Sequence, residues 1–250
     1  MSVQPPAKSA QEAANFPFVS VVTPTYNRRR FIPFLIKAYL SQTYPKDRME
    51  WIVLDDGTNP VGDLIRAVAA KVPNIRYIFD VDKQNIGHKR NRLNKEACGD
   101  IIVAMDDDDY YPPERVATVV RAFKQQPNIQ LAGASEIYMY YTDIQTIYKL
   151  GPYNEKHATN GTMAWRKTYG MTHHYDEMVT HAEEKSFLDE YKYPMIQLDP
   201  KKVMLVISHS ENTFDKKKMR DTPSPFVKKT TMKIRDFIRD KETREFFANA

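Results

Sequence analysis

Gly99-Asp100-Ile101-Ile102-Val103-Ala104-Met105-Asp106-Asp107-Asp108-Asp109 sets five apolar residues directly against four carboxylates. An unbroken apolar run of this length, rich in β-branched side chains, predicts a short strand covered on both faces. The acids after it are electrostatically costly, because adjacent carboxylates repel and each raises its neighbours' pKa unless a cation is near. Oxygen ligands of this kind suit hard cations such as Mg2+ or Mn2+, which keep positions open for substrate phosphates. The other reading is a solvated acidic loop or negative charge at a helix start, and Asp109 is placed to act as such a cap. A calcium loop of the EF-hand kind lacks support, since its alternating acids and closing Glu are absent.

Outward from this strand the pattern repeats. Pro112-Pro113-Glu114 introduces a helix lined by Val116, Val119, Val120 and Phe123, and another helix, about Gly87 to Ala97, leads into the strand from the other side. Further upstream, strands are expected at Phe18 to Thr23, stopping at Pro24, at Met49 to Leu54 and at Ile75 to Phe79. Helical spacing of Ile32, Leu35, Ile36, Tyr39 and Leu40, and of Val61, Leu64, Ile65 and Val68, separates them. Strand–helix alternation predicts an α/β fold with a mostly parallel central sheet, whose ligands bind beyond the carboxyl ends of the strands. Three such ends are polar: Thr25-Tyr26-Asn27-Arg28, Asp55-Asp56 and Asp106 to Asp109. The second half is less regular, with strands expected at Leu131 to Tyr141, Ile144 to Leu150, Thr162 to Trp165 and Lys202 to Ser208, and a helix from about His181 to Tyr191.

The bulk numbers bound the function. With 250 residues, 42% of them hydrophobic, the chain can bury one sizeable core. Cys98 is the only cysteine, which points to a reducing, cytoplasmic setting, and the first 17 residues have no apolar stretch and read as a flexible tail. No apolar run approaches the ~20 residues that span a bilayer. The net charge of +5 lies entirely in residues 215–250, where 11 Lys/Arg face 6 Asp/Glu, leaving 26 of each sign in the body. A neutral body without a basic–aromatic module gives no reason to expect a nucleic-acid partner.

Taken in order, VSVVTPTYNR (Val19–Arg28), WIVLDDG (Trp51–Gly57), NIGHKRN (Asn85–Asn91) and GDIIVAMDDDDYYPPERV (Gly99–Val116) resemble the inverting family 2 glycosyltransferases of GT-A (Rossmann-like) fold. The resemblance extends over about Phe18 to Thr213, and the glycosyltransferase domain is set at 18–214 with a C-terminal helical extension at 215–250. It implies transfer of a sugar from a nucleoside-diphosphate sugar, by family habit UDP-linked, to a hydroxyl of a glycan or glycoconjugate acceptor. Pro24, Thr25 and Tyr26 then line the nucleoside pocket, Asp56 bonds the base with Asp55 nearby, and Arg90 meets the nucleotide. For Lys89 and Arg92 a solvated helix face stands level with a nucleotide contact. The family's Asp-x-Asp becomes Asp106 on the sugar side and Asp108 on the metal, with Asp106 a second candidate ligand and Asp107 a supporting contact. An acidic pair on a later helix corresponds to Glu183-Glu184, with Glu184 the base and Glu183 its neighbour; a solvated helix turn with Lys185 is the competing reading. Trp165 is an acceptor-stacking candidate or a core residue, and His209 a metal or diphosphate contact or a hydrogen-bonded loop histidine.

The basic extension carries Ile234, Phe237, Ile238, Phe246 and Phe247 at helical spacing. It is either an amphipathic segment making peripheral contact with an anionic membrane or a helix packed on the body. The rival to an enzyme is a sugar-nucleotide or glycan-binding protein without turnover.

Overall fold

The computed structural model describes residues 16–179 and 183–250. Four strands, β1 (Val19–Thr25), β2 (Met49–Asp55), β3 (Ile75–Phe79) and β4 (Ile101–Ala104), run parallel in the order β3-β2-β1-β4. The helices joining and following them are α1 (Ile32–Leu40), α2 (Gly62–Ala69), α3 (Ile86–Glu96) and α4 (Arg115–Gln125). Side chains alternate across a strand, and the sheet uses both faces. Val19, Val21, Trp51, Val53 and Val103 meet Ile32, Leu35, Ile65, Val116 and Val119 from α1, α2 and α4 on one side. Val22, Ile52, Leu54, Ile102 and Ala104 meet Leu93 of α3 on the other.

β1 continues through Pro24 instead of stopping there. The Val22 carbonyl accepts the Met105 N–H, so Pro24, two residues on, turns its nitrogen to the same side, where β4 has ended and no hydrogen bond is forfeited. The expected long strand Leu131 to Tyr141 divides into β5 (Leu131–Gly133) and β6 (Ile137–Tyr141), which belong to different sheets. After β7 (Thr146–Leu150), the chain returns to the first sheet as β8 (Ala164–Arg166), antiparallel to β4, continues through α5 (Lys167–Gly170) and α6 (Glu184–Phe187), and adds β9 (Met195–Gln197) beside β5. The seven-stranded order is β3-β2-β1-β4-β8-β5-β9. The helix expected from His181 to Tyr191 is shorter, and His181 lies outside the described residues.

A smaller sheet is formed by β6, β7, β10 (Leu205–Ser208) and, after α7 (Lys217–Asp221), β11 (Val227–Lys229), in the order β10-β6-β7-β11. The two sheets are stitched where the acidic run leaves β4: Tyr110 and Leu205 exchange backbone hydrogen bonds at 3.1 and 2.9 Å. α8 (Lys241–Ala248) ends the chain, and Ile238 and Phe247 are buried with Phe31, Tyr138, Tyr140, Leu205 and Ile207 in a third core. Ile234, Phe237, Ile238, Phe246 and Phe247 of the basic extension therefore face the body. Among the described residues no helix is long and apolar enough to cross a membrane. At the other end, Phe16 and Pro17, expected in the tail, are anchored: the Phe16 ring meets Tyr44 edge-on at 5.6 Å, and the Pro17 carbonyl accepts the Tyr44 hydroxyl.

Candidate active site

The three polar strand ends converge, and much of their polarity is used to hold them together. Asp55, at the tip of β2, accepts Gly57 N–H (2.9 Å), Val61 N–H (2.8 Å) and the Tyr77 hydroxyl (2.7 Å). It shapes the turn into α2, with its carboxylate filled by the protein itself. A Cβ on Gly57 would stand 2.7 Å from the Asn27 nitrogen, so the ends of β1 and β2 touch only because that residue has none. Asn27 takes the left-handed conformation (φ 54°), which its short polar side chain tolerates, and receives Asn59 N–H at 3.1 Å. Pro24 and Thr25 are buried at the end of β1, while Tyr26 is half-buried with Lys83 Nζ 4.4 Å from its ring centre.

α3 presents cations to this end of the sheet. Lys89 is only 5% exposed and donates to Asp56 Oδ1 (2.7 Å) and to the Thr25 carbonyl (3.2 Å). Asp56 also receives Gln84 N–H at 2.7 Å. Lys89 is thus a buried partner of the expected base-binding acid, and the solvated reading does not hold for it. Arg90 points the other way along the site. Its Nε donates to Glu183 Oε1 (2.9 Å) and its Nη1 to Asp106 Oδ1 (3.0 Å). The Asn160 amide fits with its oxygen toward Arg90, 2.6 Å from Nη1 and 3.1 Å from Nη2, and its nitrogen donating to the Tyr175 hydroxyl. Burial opposes the charge on Arg90, but Asp106 and Glu183 more than reverse that and hold it protonated.

The four aspartates differ in environment. Asp106 is the more open, and its backbone N–H donates to the Tyr111 hydroxyl (2.7 Å). Asp107 is buried; burial first, then the adjacent Asp108, pushes its carboxyl up to about 8. Asp108 is half-buried, and its partial desolvation opposes ionisation, yet His209, Lys216 and Arg28 together hold it well below the ordinary carboxylate range. Its Oδ2 lies 3.2 Å from His209 Nε2, 3.2 Å from the Asn212 amide nitrogen and 3.7 Å from Arg28 Nε. Asp109 accepts Ile207 N–H at 2.7 Å and is pushed up by burial to about 7. It therefore locks β10 to the acidic run; Glu114, not Asp109, precedes α4.

Glu183 and Glu184 are separated in the same way. Glu183 is 7% exposed and bound by Arg90, whereas no described cation pairs with Glu184. Burial and then the charge of Glu183 raise the Glu184 pKa. The approach to this pair is clamped onto α3: Asn91 receives Tyr175 N–H (2.8 Å) and donates to the Tyr175 carbonyl and to Glu177 Oε1 (2.9 Å each). A Cβ on Gly87 would sit 2.2 Å from the Asp176 carbonyl oxygen. Trp165, the acceptor-stacking candidate, is not brought to the site. It is 2% exposed in β8, packed on Tyr175 and Phe187, with its indole N–H donated to Asn94.

Sequence reasoning weighed Lys89 without assigning it, marked Arg28 only as part of a polar strand end, and missed Asn91, Asn160 and Arg115. Arg115 is fully buried behind the acidic run, where its Nη2 donates to the carbonyls of Met163 (2.8 Å), Ala104 and Gly161 (3.3 Å each). A strongly polar α3 following a strand end was the available signal for Lys89 and Asn91.

Asp108 offers a carboxylate oxygen of the kind Mn2+ and Mg2+ take, and His209 Nε2 faces it at 3.2 Å. Among the described residues no three His, Cys, Asp or Glu side chains close a metal cage. Such a pair fits an ion that takes its remaining ligands from water and substrate phosphates.

Glycosyltransferase AglE of Haloferax volcanii is 30% identical over 96 residues, covering 38% of this chain and 32% of AglE. The putative colanic acid biosynthesis glycosyl transferase WcaA of Escherichia coli is 34% identical over 113 residues, covering 45% of this chain and 39% of WcaA. The chain thus matches well under half the length of these relatives. Among solved structures, Staphylococcus aureus TarS 1-349 in complex with UDP-GlcNAc superposes with a TM-score of 0.64 at 18% identity, over 78% of this chain and 60% of that one. The mannosyltransferase PcManGT from Pyrobaculum calidifontis, in complex with GDP-Man and Mn2+, gives 0.62 at 18% identity, over 79% and 59%. At that identity the likeness establishes the fold, and it is the expected GT-A arrangement. The model of the family described as Glycosyl transferase family 2 matches residues 20–179, more than half of the sequence, and the chain belongs to that family.

Proposed function

We propose that this protein is an inverting glycosyltransferase that moves a sugar from a nucleoside-diphosphate donor, UDP-linked by preference, to a hydroxyl of a glycan or glycoconjugate acceptor. The observation that carries the reading is Arg90, which bonds Asp106 of the acidic run and Glu183 beside Glu184. One side chain thereby sets the donor end and the proton acceptor at a fixed separation. Pro24, Thr25, Tyr26 and Asp56 line the nucleoside side, with Lys89 orienting Asp56. Asp108 and His209 hold Mn2+ or Mg2+, which supplies positive charge to the departing diphosphate. Arg28, close to Asp108 at 3.7 Å, adds a second cation on that side.

Glu184, paired with no cation among the described residues and raised in pKa by burial and by Glu183, takes the proton of the acceptor hydroxyl. As the acceptor oxygen bonds the anomeric carbon, the bond from that carbon to the diphosphate oxygen breaks, and its electron pair leaves with the nucleoside diphosphate. One displacement inverts the anomeric centre. Nucleoside-diphosphate release from a panel of UDP-, GDP- and dTDP-sugars with Mn2+ tests the proposal. Release abolished by Asp108→Asn is expected. Donor binding with no release or transfer across the panel would leave a binding protein in place of an enzyme.

A further inference from the structure

With Trp165 in the core, the rings that approach Glu184 come from elsewhere. Directly after α6, Asp189, Glu190 and Tyr191 take φ values of 46°, 55° and 61°, three consecutive left-handed residues without a glycine. L-residues adopt that conformation at a cost, and such strain clusters at working sites. The turn is held by Glu190 N–H to the Lys185 carbonyl and Lys192 N–H to the Asp189 carbonyl, both 3.1 Å. It lays Tyr191 against the core around Leu188, on the turn that closes α6, the helix that begins at Glu184.

From Tyr191 the rings continue in a line. His157 is 5.3 Å away by ring centres, Tyr153 is 5.0 Å beyond it, and Phe226 a further 5.3 Å on. The first three are half-buried, and Phe226 is 42% exposed. Each ring sits on a pinned backbone. Gln197 donates to the carbonyls of Glu155 (2.8 Å) and His157 (3.1 Å), Tyr153 N–H reaches the Ser135 carbonyl (3.3 Å), and the Phe226 carbonyl accepts Gly151 N–H (2.9 Å). Three separate chain segments therefore hold the line in shape.

We propose that Tyr191, His157, Tyr153 and Phe226 form an acceptor track for a glycan of several pyranose units, with the sugar to be extended at Tyr191 beside Glu184 and the earlier units running out toward Phe226. Flat, rigid rings meet the C–H faces of pyranoses by dispersion while the sugar hydroxyls stay in water, and they lose little conformational entropy in doing so. The proposal rests on Glu184 as the proton acceptor, and it narrows the acceptor class from any hydroxyl to an oligosaccharide chain.

Titration calorimetry on the full chain with cellohexaose, chitohexaose, maltohexaose and mannohexaose, each against the disaccharide of the same linkage, tests it. At least one hexasaccharide should bind about tenfold more tightly than its disaccharide. Phe226→Ala, a surface change, and Tyr153→Ala should both erase that gain and leave disaccharide and UDP binding unchanged. No length dependence in any series, or one that survives both substitutions, overturns the track. So does binding to phosphatidylglycerol vesicles with none of the oligosaccharides bound. Nucleoside-diphosphate release measured on the same samples separates the two readings. Release intact with no length gain removes only the track, whereas no release removes the enzymatic reading beneath it.

Discussion

Replacing Arg90 by Met keeps the length of the side chain and removes its charge and donors. Arg90 is buried and bonds Asp106 at 3.0 Å and Glu183 at 2.9 Å, and Glu183 is itself 7% exposed. The substitution leaves both carboxylates without their cation, and Asp106 beside the buried Asp107. Removing one partner of a buried ion pair costs about 3–5 kcal/mol, far above the ~0–1 kcal/mol of an exposed pair. For a chain of this size each kcal/mol moves Tm by roughly 2–4 °C, so Arg90→Met should melt roughly 6–20 °C lower. Arg90→Lys restores the charge but not a planar fork able to reach two carboxylates at once, and its loss should be intermediate. Urea unfolding followed by circular dichroism gives the free energies, provided the slope is the same for all three proteins. A midpoint for Arg90→Met within about 0.5 kcal/mol of wild type, the scatter of an ordinary surface change, would refute the account of the site as a charge-balanced bridge.

Three further outcomes are expected. Glu184→Gln should abolish transfer with unfolding free energy unchanged or slightly raised, while Glu183→Gln should destabilise by about 1–3 kcal/mol by weakening the bond to Arg90; equal stabilities would erase the distinction between the two. Asp107 and Asp109, raised to about 8 and about 7, bind protons more tightly folded than unfolded. Metal-free stability should therefore fall as pH rises from about 4 toward 8, and Mn2+ should raise Tm more at pH 8 than at pH 5; a shift independent of pH, read by differential scanning fluorimetry, counts against a cation at the acidic run. Trp165→Ala should cost about 3–5 kcal/mol in the same urea titration, and a normal unfolding midpoint with impaired acceptor binding would return Trp165 to the acceptor site.

How far the sequence could be read depended on where each residue's partner lies. β4 and its four acids were legible because an unbroken apolar run ending in carboxylates is a local pattern, and the same holds for β1 to β3 and their helices. α3 was legible as a helix but not as a polar bridge. Its buried face includes Lys89 and Arg90, whose partners Asp56, Asp106 and Glu183 are distant in sequence, so periodicity of apolar residues cannot reveal it. Trp165 was ambiguous for a different reason: a tryptophan in a strand looks the same whether its strand is covered on one face or on both. The division of Leu131 to Tyr141 was hidden because β5 and β6 are both apolar, and only their pairing partners show that they leave for different sheets. The left-handed turn at Asp189 to Tyr191 carries no glycine and left no trace in composition.

The third core has a consequence for how the protein is made. Phe31 leaves the ribosome roughly two hundred residues before Ile238 and Phe247, which share its core. The seven-stranded sheet can assemble while translation continues, but Phe31, Tyr140 and Ile207 stay uncovered until α8 arrives. A nascent chain stalled in the extension would display an aromatic face that chaperones and proteases recognise. Premature stops after Ser208 should thus be removed by quality control even though every residue of the acidic run, and the pair that follows it, has already been made.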